Sequence, residues 1–169
     1  MGAGVIIAGI DPGRDGALVI LDGRRVVAAA RTADLLGKAR WQAGYRGCTD
    51  WLRSQHAASP IQLAVLELFA GRPAQGAGSA MTIGVGWGLW LGALSGLGIP
   101  VLTPSSASWT RTMFEGVSGE GKERGIGVAL AHLPDLELRR GRERKDHDGL
   151  ADAGCLALWG QRHPLGRSS

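Results

Sequence analysis

Near its N-terminus the chain reads Val5-Ile6-Ile7-Ala8-Gly9-Ile10-Asp11-Pro12-Gly13, an apolar run that ends in an acid and two turn residues. A short apolar run bounded by turn residues is typical of a buried strand. Proline fixes φ and glycine admits angles that other residues avoid, so Pro12-Gly13 predicts a turn directly after the strand. The sequence therefore places the Asp11 carboxylate at the carboxyl end of a buried strand.

The remaining pattern predicts an α/β fold. Residues 17–21 and 26–30 continue the first strand as an antiparallel meander. Two later strands, at residues 61–66 and 99–102, alternate with helices, so we expect a mixed central sheet, a meander plus parallel strands, flanked by helices. The helices are predicted at residues 46–57, 80–97, 121–133 and 148–159, with a short one beginning near Pro104.

Length and charge narrow the function classes. A chain of 169 residues is long enough for one domain with its own core, which we place at residues 1–165, with a disordered tail at 166–169. This length excludes actin-like ATPases and sugar kinases, because that fold needs two such domains. The net charge of +4 points weakly to a polyanionic partner. Cys48 and Cys155 lack zinc-ligand spacing and no signal peptide is visible, so we expect an intracellular protein.

Four carboxylates carry most of the functional information. Asp11 ends the first strand, and Glu67 ends the apolar run Leu63-Ala64-Val65-Leu66. Asp148 and Asp152 share one face of the last helix at i,i+4 spacing. If the two strands are parallel neighbours, the acids converge at the edge where α/β sheets form their sites. Four like charges are stable together only with cations, which favours two Mg²⁺ or Mn²⁺ ions and phosphodiester chemistry. Taken singly, an acid is better explained by a local role, such as a turn for Asp11 or a helix cap for Asp148, and only the four together favour a metal site.

At this point the chain resembles a known family, the RuvC-type Holliday-junction resolvases. Gly9-Ile10-Asp11-Pro12-Gly13 is similar to the start of these enzymes, Leu66-Glu67 to their second acidic position, and residues 145–153 to the start of their metal-binding helix. Residues 86–92, Pro104 to Trp109 and Lys122-Glu123-Arg124 resemble more closely the plant chloroplast resolvase and its phage and bacterial relatives. The resemblance covers about residues 4–160 in the family order.

The resemblance implies an RNase H-like fold and a homodimeric endonuclease. Each subunit would cut one strand of a four-way DNA junction with a metal-activated water, in the cytoplasm or nucleoid of a bacterium or from a phage gene. Asp11, Glu67 and Asp152 would bind metal directly. The fourth ligand position stays open, because Asp148 lies four residues from Asp152 whereas RuvC spaces its last two ligands by three. The candidates for it are Asp148, His147 and Asp146.

Lys122 is predicted to be catalytic. In the family a lysine on this helix approaches the scissile phosphate, where an ammonium would stabilise the developing charge. The alternative is a solvated charge beside Glu120 and Glu123.

Several cations are predicted to bind DNA. The segment from Arg139 to Lys145 holds five cations and one anion just before the acids of the last helix. By resemblance, the region from Gly71 to Ser79 lies near the branch point and contacts bases, although a flexible loop explains its composition equally well. The predicted contacts are Arg72, Gln75, Ser79, Lys122, Arg124, Arg142, Arg144 and Lys145.

The segment around residues 80–97 is predicted to be a buried helix at a homodimer interface. No charged residue or histidine occurs between Arg72 and Trp109. Its apolar core is short and glycine-rich for a membrane span, so we expect no membrane. Ala80, Gly84, Gly88, Gly92 and Gly96 form a row on which another backbone can pack.

Tryptophans are assigned mostly to packing. Trp87, Trp90 and Trp159 fall in apolar helical patterns and are predicted core residues, and Trp41 and Trp51 are packing groups. For Trp109 two assignments stay open, packing in the core and contact with DNA.

Two other functions remain open at this stage. Another RNase H-like nuclease, acting on RNA–DNA hybrids or on RNA, would share the acids without requiring a dimer. A junction-binding protein without catalysis would have no use for an acidic cluster facing DNA, which is costly to keep.

Overall fold

The computed structural model describes residues 4–38, 41–69 and 76–162, with the backbone alone at residues 41–43. Five strands form one sheet: β1 (Ile6–Asp11), β2 (Ala17–Asp22), β3 (Arg25–Arg31), β4 (Leu63–Leu66) and β5 (Val101–Leu102). Six helices are described: α1 (Thr32–Leu36), α2 (Trp41–Ala58), α3 (Ala77–Gly96), α4 (Ser106–Met113), α5 (Lys122–His132) and α6 (Asp148–Gln161).

The sheet is mixed, as the sequence predicted. Its strand order is β3-β2-β1-β4-β5, with the first three strands antiparallel and β4 parallel to both β1 and β5. The predicted meander is therefore confirmed, and β1 lies at the centre, where a continuous apolar run is expected. In the β1–β4 register Ile10 lies opposite Leu66, so the acids that follow these two residues leave the sheet side by side.

Helices cover both faces of the sheet. Alternate strand residues such as Ile7 and Val65 pack with α4, α5 and α6, and the intervening residues such as Ile10 and Leu66 pack with α1, α2 and α3. Helix α6 lies very close to the sheet, because a Cβ at Gly9 would come within 2.0 Å of the Ala153 carbonyl oxygen. The absence of a side chain at Gly9 thus permits the contact that brings α6 against β1.

Helix α3 differs from the prediction of a buried helix. Only Gly86, Trp90 and Leu94 are buried, and the glycine row is offset from them by two positions, or about 200° around the helix. Gly88, Gly92 and Gly96 are exposed, and nothing lies within 4 Å of a Cβ built at any of them. The prediction was therefore wrong for this face within one chain, because the core buries the face of Trp90 and Leu94 and the glycine row lies on the opposite side.

The same helix is long and apolar enough to cross a membrane. Among the described helices it alone meets that test of length and composition, and 17% of its most apolar window is buried. One such helix is weak support for a membrane span, and the expected absence of a membrane stays a prediction.

The other differences from the predicted elements are one additional helix and the first residues of two helices. Helix α1 was not predicted, and α2 begins at Trp41 rather than near residue 46. Helix α3 begins at Ala77, so Ser79 is helical rather than in a loop. The core assignments of Trp90 and Trp159 are confirmed, Trp87 and Trp51 are partly buried and pack at the edge of the core, and Trp109 is buried. The side chain of Trp41 lies outside the described residues.

Candidate active site

Two of the four predicted acids come from neighbouring parallel strands. Asp11 is the last residue of β1, and the Glu67 backbone N–H directly after β4 donates to the Ile10 carbonyl at 3.1 Å. Side chains alternate across a strand, so both acids share the sheet face of Ile7 and Val65, which α6 covers. The convergence expected from parallel strand ends is therefore present.

Helix α6 brings the other two acids to this edge. The contact at Gly9 holds the helix on β1, and Asp148 and Asp152 lie in its first two turns. Helix α5 closes the third side, because a Cβ at Gly125 would come within 2.7 Å of Asp152 Oδ1. Four separate segments thus position one partly buried acidic cluster.

Burial and mutual repulsion raise the pKa values of two of these acids. Burial, together with the negative charges of Glu67 and Asp148, raises the pKa of Asp11 to about 6. Burial and the charges of Asp11, Glu67 and Asp148 raise the pKa of Asp152 to about 7. A carboxylate whose pKa is raised in this way gains from any nearby cation. Asp11 and Asp152 therefore form the pair that a cation would stabilise most.

Lys122 supplies one positive charge to the cluster. Its ammonium, at the start of α5, forms an ion pair with the Asp148 carboxylate while remaining mostly exposed. Burial opposes the negative charge of Asp148, but the hydrogen bond and charge of Lys122 outweigh it and lower the pKa of Asp148. The structure therefore places Lys122 beside the acids, and its catalytic role stays a prediction.

Like Asp148, the other two candidates for the fourth ligand position have hydrogen-bond partners of their own. Arg139 donates to both oxygens of Asp146, at 2.6 and 3.1 Å. His147 is the N-cap of α6, and its Nδ1 accepts a hydrogen bond from the Leu150 N–H at 3.1 Å. Of the three candidates, Asp148 is the one whose charge acts on both Asp11 and Asp152.

The donor set suits a hard divalent cation. All four side chains are carboxylates, which Mg²⁺ and Mn²⁺ prefer, and their mutual repulsion is relieved by positive charge. Among the described residues, no three His, Cys, Asp or Glu side chains are close enough to enclose an ion as a ready-made cage. The cluster is thus chemically suited to a cation, with coordination that would be completed by inward movement of side chains and by other oxygen donors.

Two tryptophans contact Glu67, and the sequence did not predict these contacts. The Trp109 indole N–H donates to Glu67 Oε1 at 3.0 Å, and the Trp87 indole N–H donates to the Glu67 carbonyl oxygen at 3.0 Å. A tryptophan in an apolar helix pattern predicts packing, and no spacing rule identifies the acceptor of its N–H. The only signal was that both residues fall in segments of the family resemblance.

The basic segment before α6 is partly neutralised by ion pairs. Arg31, which the sequence did not single out, donates to both Glu143 oxygens at 2.6 Å each. Arg140 pairs with Asp34, and Arg139 with Asp146 as described above. Within the described part of the chain, three exposed cations of this segment have no ion-pair partner: Arg142, Arg144 and Lys145.

The other residues predicted to bind DNA lie outside this basic segment. Arg124 is exposed on the first turns of α5, where its Nε donates to the Gly119 carbonyl at 2.8 Å. Ser79 is exposed in the first turn of α3. Arg72 and Gln75 lie outside the described residues.

Comparison with known proteins identifies the fold as RNase H-like, as the sequence predicted. Three solved structures, all of Holliday junction resolvases, share it. The RuvC of Thermus thermophilus in complex with Holliday junction substrate has a TM-score of 0.66 and 17% identity, covering 92% of this chain and 91% of that one.

Another structure of Thermus thermophilus RuvC gives a TM-score of 0.63 and 19% identity over 91% of this chain and 92% of that one. The yeast mitochondrial Holliday junction resolvase Ydc2 gives 0.64 and 11% over 92% of this chain and 77% of that one. No family model and no curated protein matches the sequence. The similarity thus establishes a fold shared over almost the whole chain, while a special closeness to the plant chloroplast resolvase stays a prediction.

Proposed function

We propose that this chain is a metal-dependent endodeoxyribonuclease that resolves Holliday junctions by paired, symmetrical nicks. The observation that carries the proposal is the convergence of Asp11, Glu67, Asp148 and Asp152 at one edge of an RNase H-like sheet. One structural neighbour with this fold is described in complex with a Holliday junction substrate. The net charge of +4 is consistent with a nucleic-acid substrate.

Within this proposal the acids hold the metal. Asp11, Glu67 and Asp152 are the direct ligands, and Asp148 fills the fourth position, because its charge acts on both Asp11 and Asp152. Two bound Mg²⁺ or Mn²⁺ ions would activate a water and stabilise the leaving oxygen. The partial burial of Asp11 and Asp152 strengthens their attraction for cations by limiting solvent screening.

Lys122 is proposed as the catalytic cation. Its exposed ammonium reaches Asp148 from α5, so it lies within side-chain reach of a phosphate bound over the acids. A positive charge there would stabilise the charge that develops on the phosphate. We expect Lys122→Met to slow cleavage strongly while junction binding falls only by one phosphate contact.

The DNA backbone is proposed to pass over the segment before α6. Arg142, Arg144 and Lys145 are exposed and carry no ion pair within the described residues, so their charges are available to phosphates. Arg124 is a further proposed DNA contact, and Arg72, Gln75 and Ser79 are proposed contacts near the branch point.

The proposed assembly is a homodimer through α3. The exposed glycine row lines a cavity of about 380 Å³ beside α2. The neighbouring apolar residues Leu89, Ala93 and Leu97 also line this cavity. A helix that is apolar all round requires cover, and small residues permit the close approach of a second backbone. Two subunits would supply the two active sites that paired nicks require. Sedimentation that shows only monomer at micromolar concentration would contradict this assembly.

An intracellular location is also proposed. Cys48 and Cys155 are buried free thiols. Burial raises their pKa values, to about 11 and about 12, so both stay protonated and unreactive. Unpaired buried thiols of this kind are usual in reducing compartments, where DNA is also found.

The decisive test is cleavage of a synthetic immobile four-way junction with Mg²⁺, with both nicks mapped at nucleotide resolution. We expect symmetrical nicks in opposite strands, and no comparable cleavage of an RNA–DNA hybrid duplex. Asp11→Asn should abolish cutting and leave junction binding intact or tighter, because one negative charge facing the DNA is removed. Full activity of that variant, or preferential cutting of the hybrid, would overturn the proposal.

A further inference from the structure

Glu67 is held by two indole groups from two different helices. Trp109 of α4 donates to the side-chain oxygen Oε1 at 3.0 Å, and Trp87 of α3 donates to the backbone carbonyl oxygen at 3.0 Å. One contact therefore orients the carboxylate, and the other orients the backbone that carries it. Both helices otherwise belong to opposite faces of the sheet.

Trp109 is itself firmly positioned. It is 2% exposed, and its ring meets Phe114 edge to face with the centroids 5.4 Å apart. The Ser105 side chain caps α4 by accepting from the Ser108 N–H at 3.3 Å. The Leu68 N–H donates to the Pro104 carbonyl at 2.8 Å, which ties the segment before α4 to the end of β4. The donor and its acceptor thus belong to one rigid unit.

The aromatic pair also lies beside the helix that closes the site. A Cβ built on Gly125 of α5 would lie 3.6 Å from Phe114 Cζ, and the same added atom would lie 2.7 Å from Asp152 Oδ1. Phe114 therefore packs near the part of α5 that faces Asp152.

We propose that Trp109 is a positioning residue for the metal site. Its N–H occupies Oε1 of Glu67, restricts rotation of the carboxylate and leaves the other oxygen for a divalent cation. Hydrogen bonds from groups around a metal site typically change metal affinity or activity about 10- to 100-fold when removed. The inference rests on the proposed function for the role of the cation, and it assigns to Trp109 a task beyond packing.

The test compares the same substitution at two buried tryptophans. Trp109→Phe removes the N–H and retains an aromatic ring against Phe114. Trp90→Phe is the matched control, since Trp90 is 1% exposed and its buried indole nitrogen has no hydrogen-bond partner among the described residues. Mn²⁺ alone is titrated into each protein by calorimetry, and the shift in melting temperature caused by Mn²⁺ is measured in parallel.

We expect Trp109→Phe to bind Mn²⁺ about 10-fold more weakly than the wild-type protein, and Trp90→Phe to bind it normally. The Mg²⁺ concentration for half-maximal junction cleavage should rise by a similar factor in Trp109→Phe, while junction affinity in EDTA is unchanged. If Trp109→Phe does not fold, benzothienylalanine at position 109 keeps the shape of the indole and lacks only the N–H.

The outcomes separate the inference from the function. Equal Mn²⁺ affinity in the wild type and Trp109→Phe, with junction cleavage retained, would overturn the inference alone. Equal weakening by the two phenylalanine substitutions would also overturn it, because packing would then explain the effect. A wild-type protein that neither binds Mn²⁺ nor cuts junctions would overturn the proposed function together with the inference.

Discussion

Helices α6 and α3 are both apolar and rich in glycine, yet they use these properties in opposite ways. In α6, 11 of 14 residues are buried, whereas in α3 only three of 20 are buried. A Cβ at Gly154 or Gly160 of α6 would come within 2.8 or 2.6 Å of a core side chain, but nothing lies within 4 Å of one at Gly88 or Gly92 of α3. The glycines of α6 allow this helix to pack closely on the core, whereas those of α3 lie on an exposed surface.

The strongest test of this difference is to add one methyl group where α6 meets the sheet. Gly9→Ala would push a Cβ to 2.0 Å from the Ala153 carbonyl oxygen, and a backbone atom cannot move aside as a flexible side chain can. We expect a loss of about 3 kcal/mol in the free energy of unfolding, with loss of cleavage because Asp11 and Asp152 separate. Urea denaturation measures the effect, and an unchanged midpoint would show that α6 is not seated as described.

The acids between α6 and β1 should make stability depend on pH when divalent cations are absent. The pKa values of Asp11 and Asp152, about 6 and about 7, exceed the ordinary value of 3.8, so the folded protein binds protons that the unfolded chain has released. The stability that these two groups contribute should therefore be fully present near pH 4 and be lost as the pH rises to about 7, by on the order of 3 kcal/mol for Asp11 alone.

Denaturation in EDTA across this pH range measures the slope. Mg²⁺ should restore stability mainly at the upper end of the range, where the carboxylates are charged. Asp152→Asn should flatten the profile, since it removes one titrating group and part of the repulsion on Asp11. A profile that rises across the same range, in the wild-type protein, would contradict the geometry of the cluster.

The smallest effect is expected on α3. Gly92→Ala adds a Cβ to open space and improves helix propensity, so the isolated chain should gain about 1 kcal/mol in its free energy of unfolding at any pH. Gly92→Leu should instead weaken the proposed dimer, because its side chain would fill the row on which we propose that a second helix packs. Sedimentation over a range of concentrations measures the dimer. If Gly92→Leu forms the dimer as the wild-type protein does, the interface does not include this row.

The sequence predicted the fold well wherever one local signal was strong. The apolar run before Asp11, the meander and the final helix were placed within a residue or two, because strand and helix periods are encoded locally. Helix α1 was missed, because five residues contain too little of a period to recognise. The orientation of α3 was also missed, since a helix that is apolar all round gives no indication of which face the core will bury.

The convergence of the acids at the sheet edge was predicted, but the hydrogen bonds that surround them were not. Asp11, Glu67, Asp148 and Lys122 could be found because each ends, follows or begins a predictable element, and Asp152 because it shares a helix face with Asp148. The contacts of Trp109 with Glu67 and of Arg31 with Glu143 join residues 42 and 112 positions apart. No periodicity connects such positions, so these contacts follow only from the way the helices pack on the sheet.

The sequence by itself determined the elements, the acids at their ends and the resemblance that links them, because these depend on short-range pattern and residue chemistry. Only the tertiary structure decided that Asp146 and His147 are engaged elsewhere, that two indoles hold Glu67, and that the glycines of α3 face away from the core. The physical reason is that hydrogen bonds and burial depend on distances between segments that are remote in sequence, and the packing of α6 on Gly9 sets many of these distances at once.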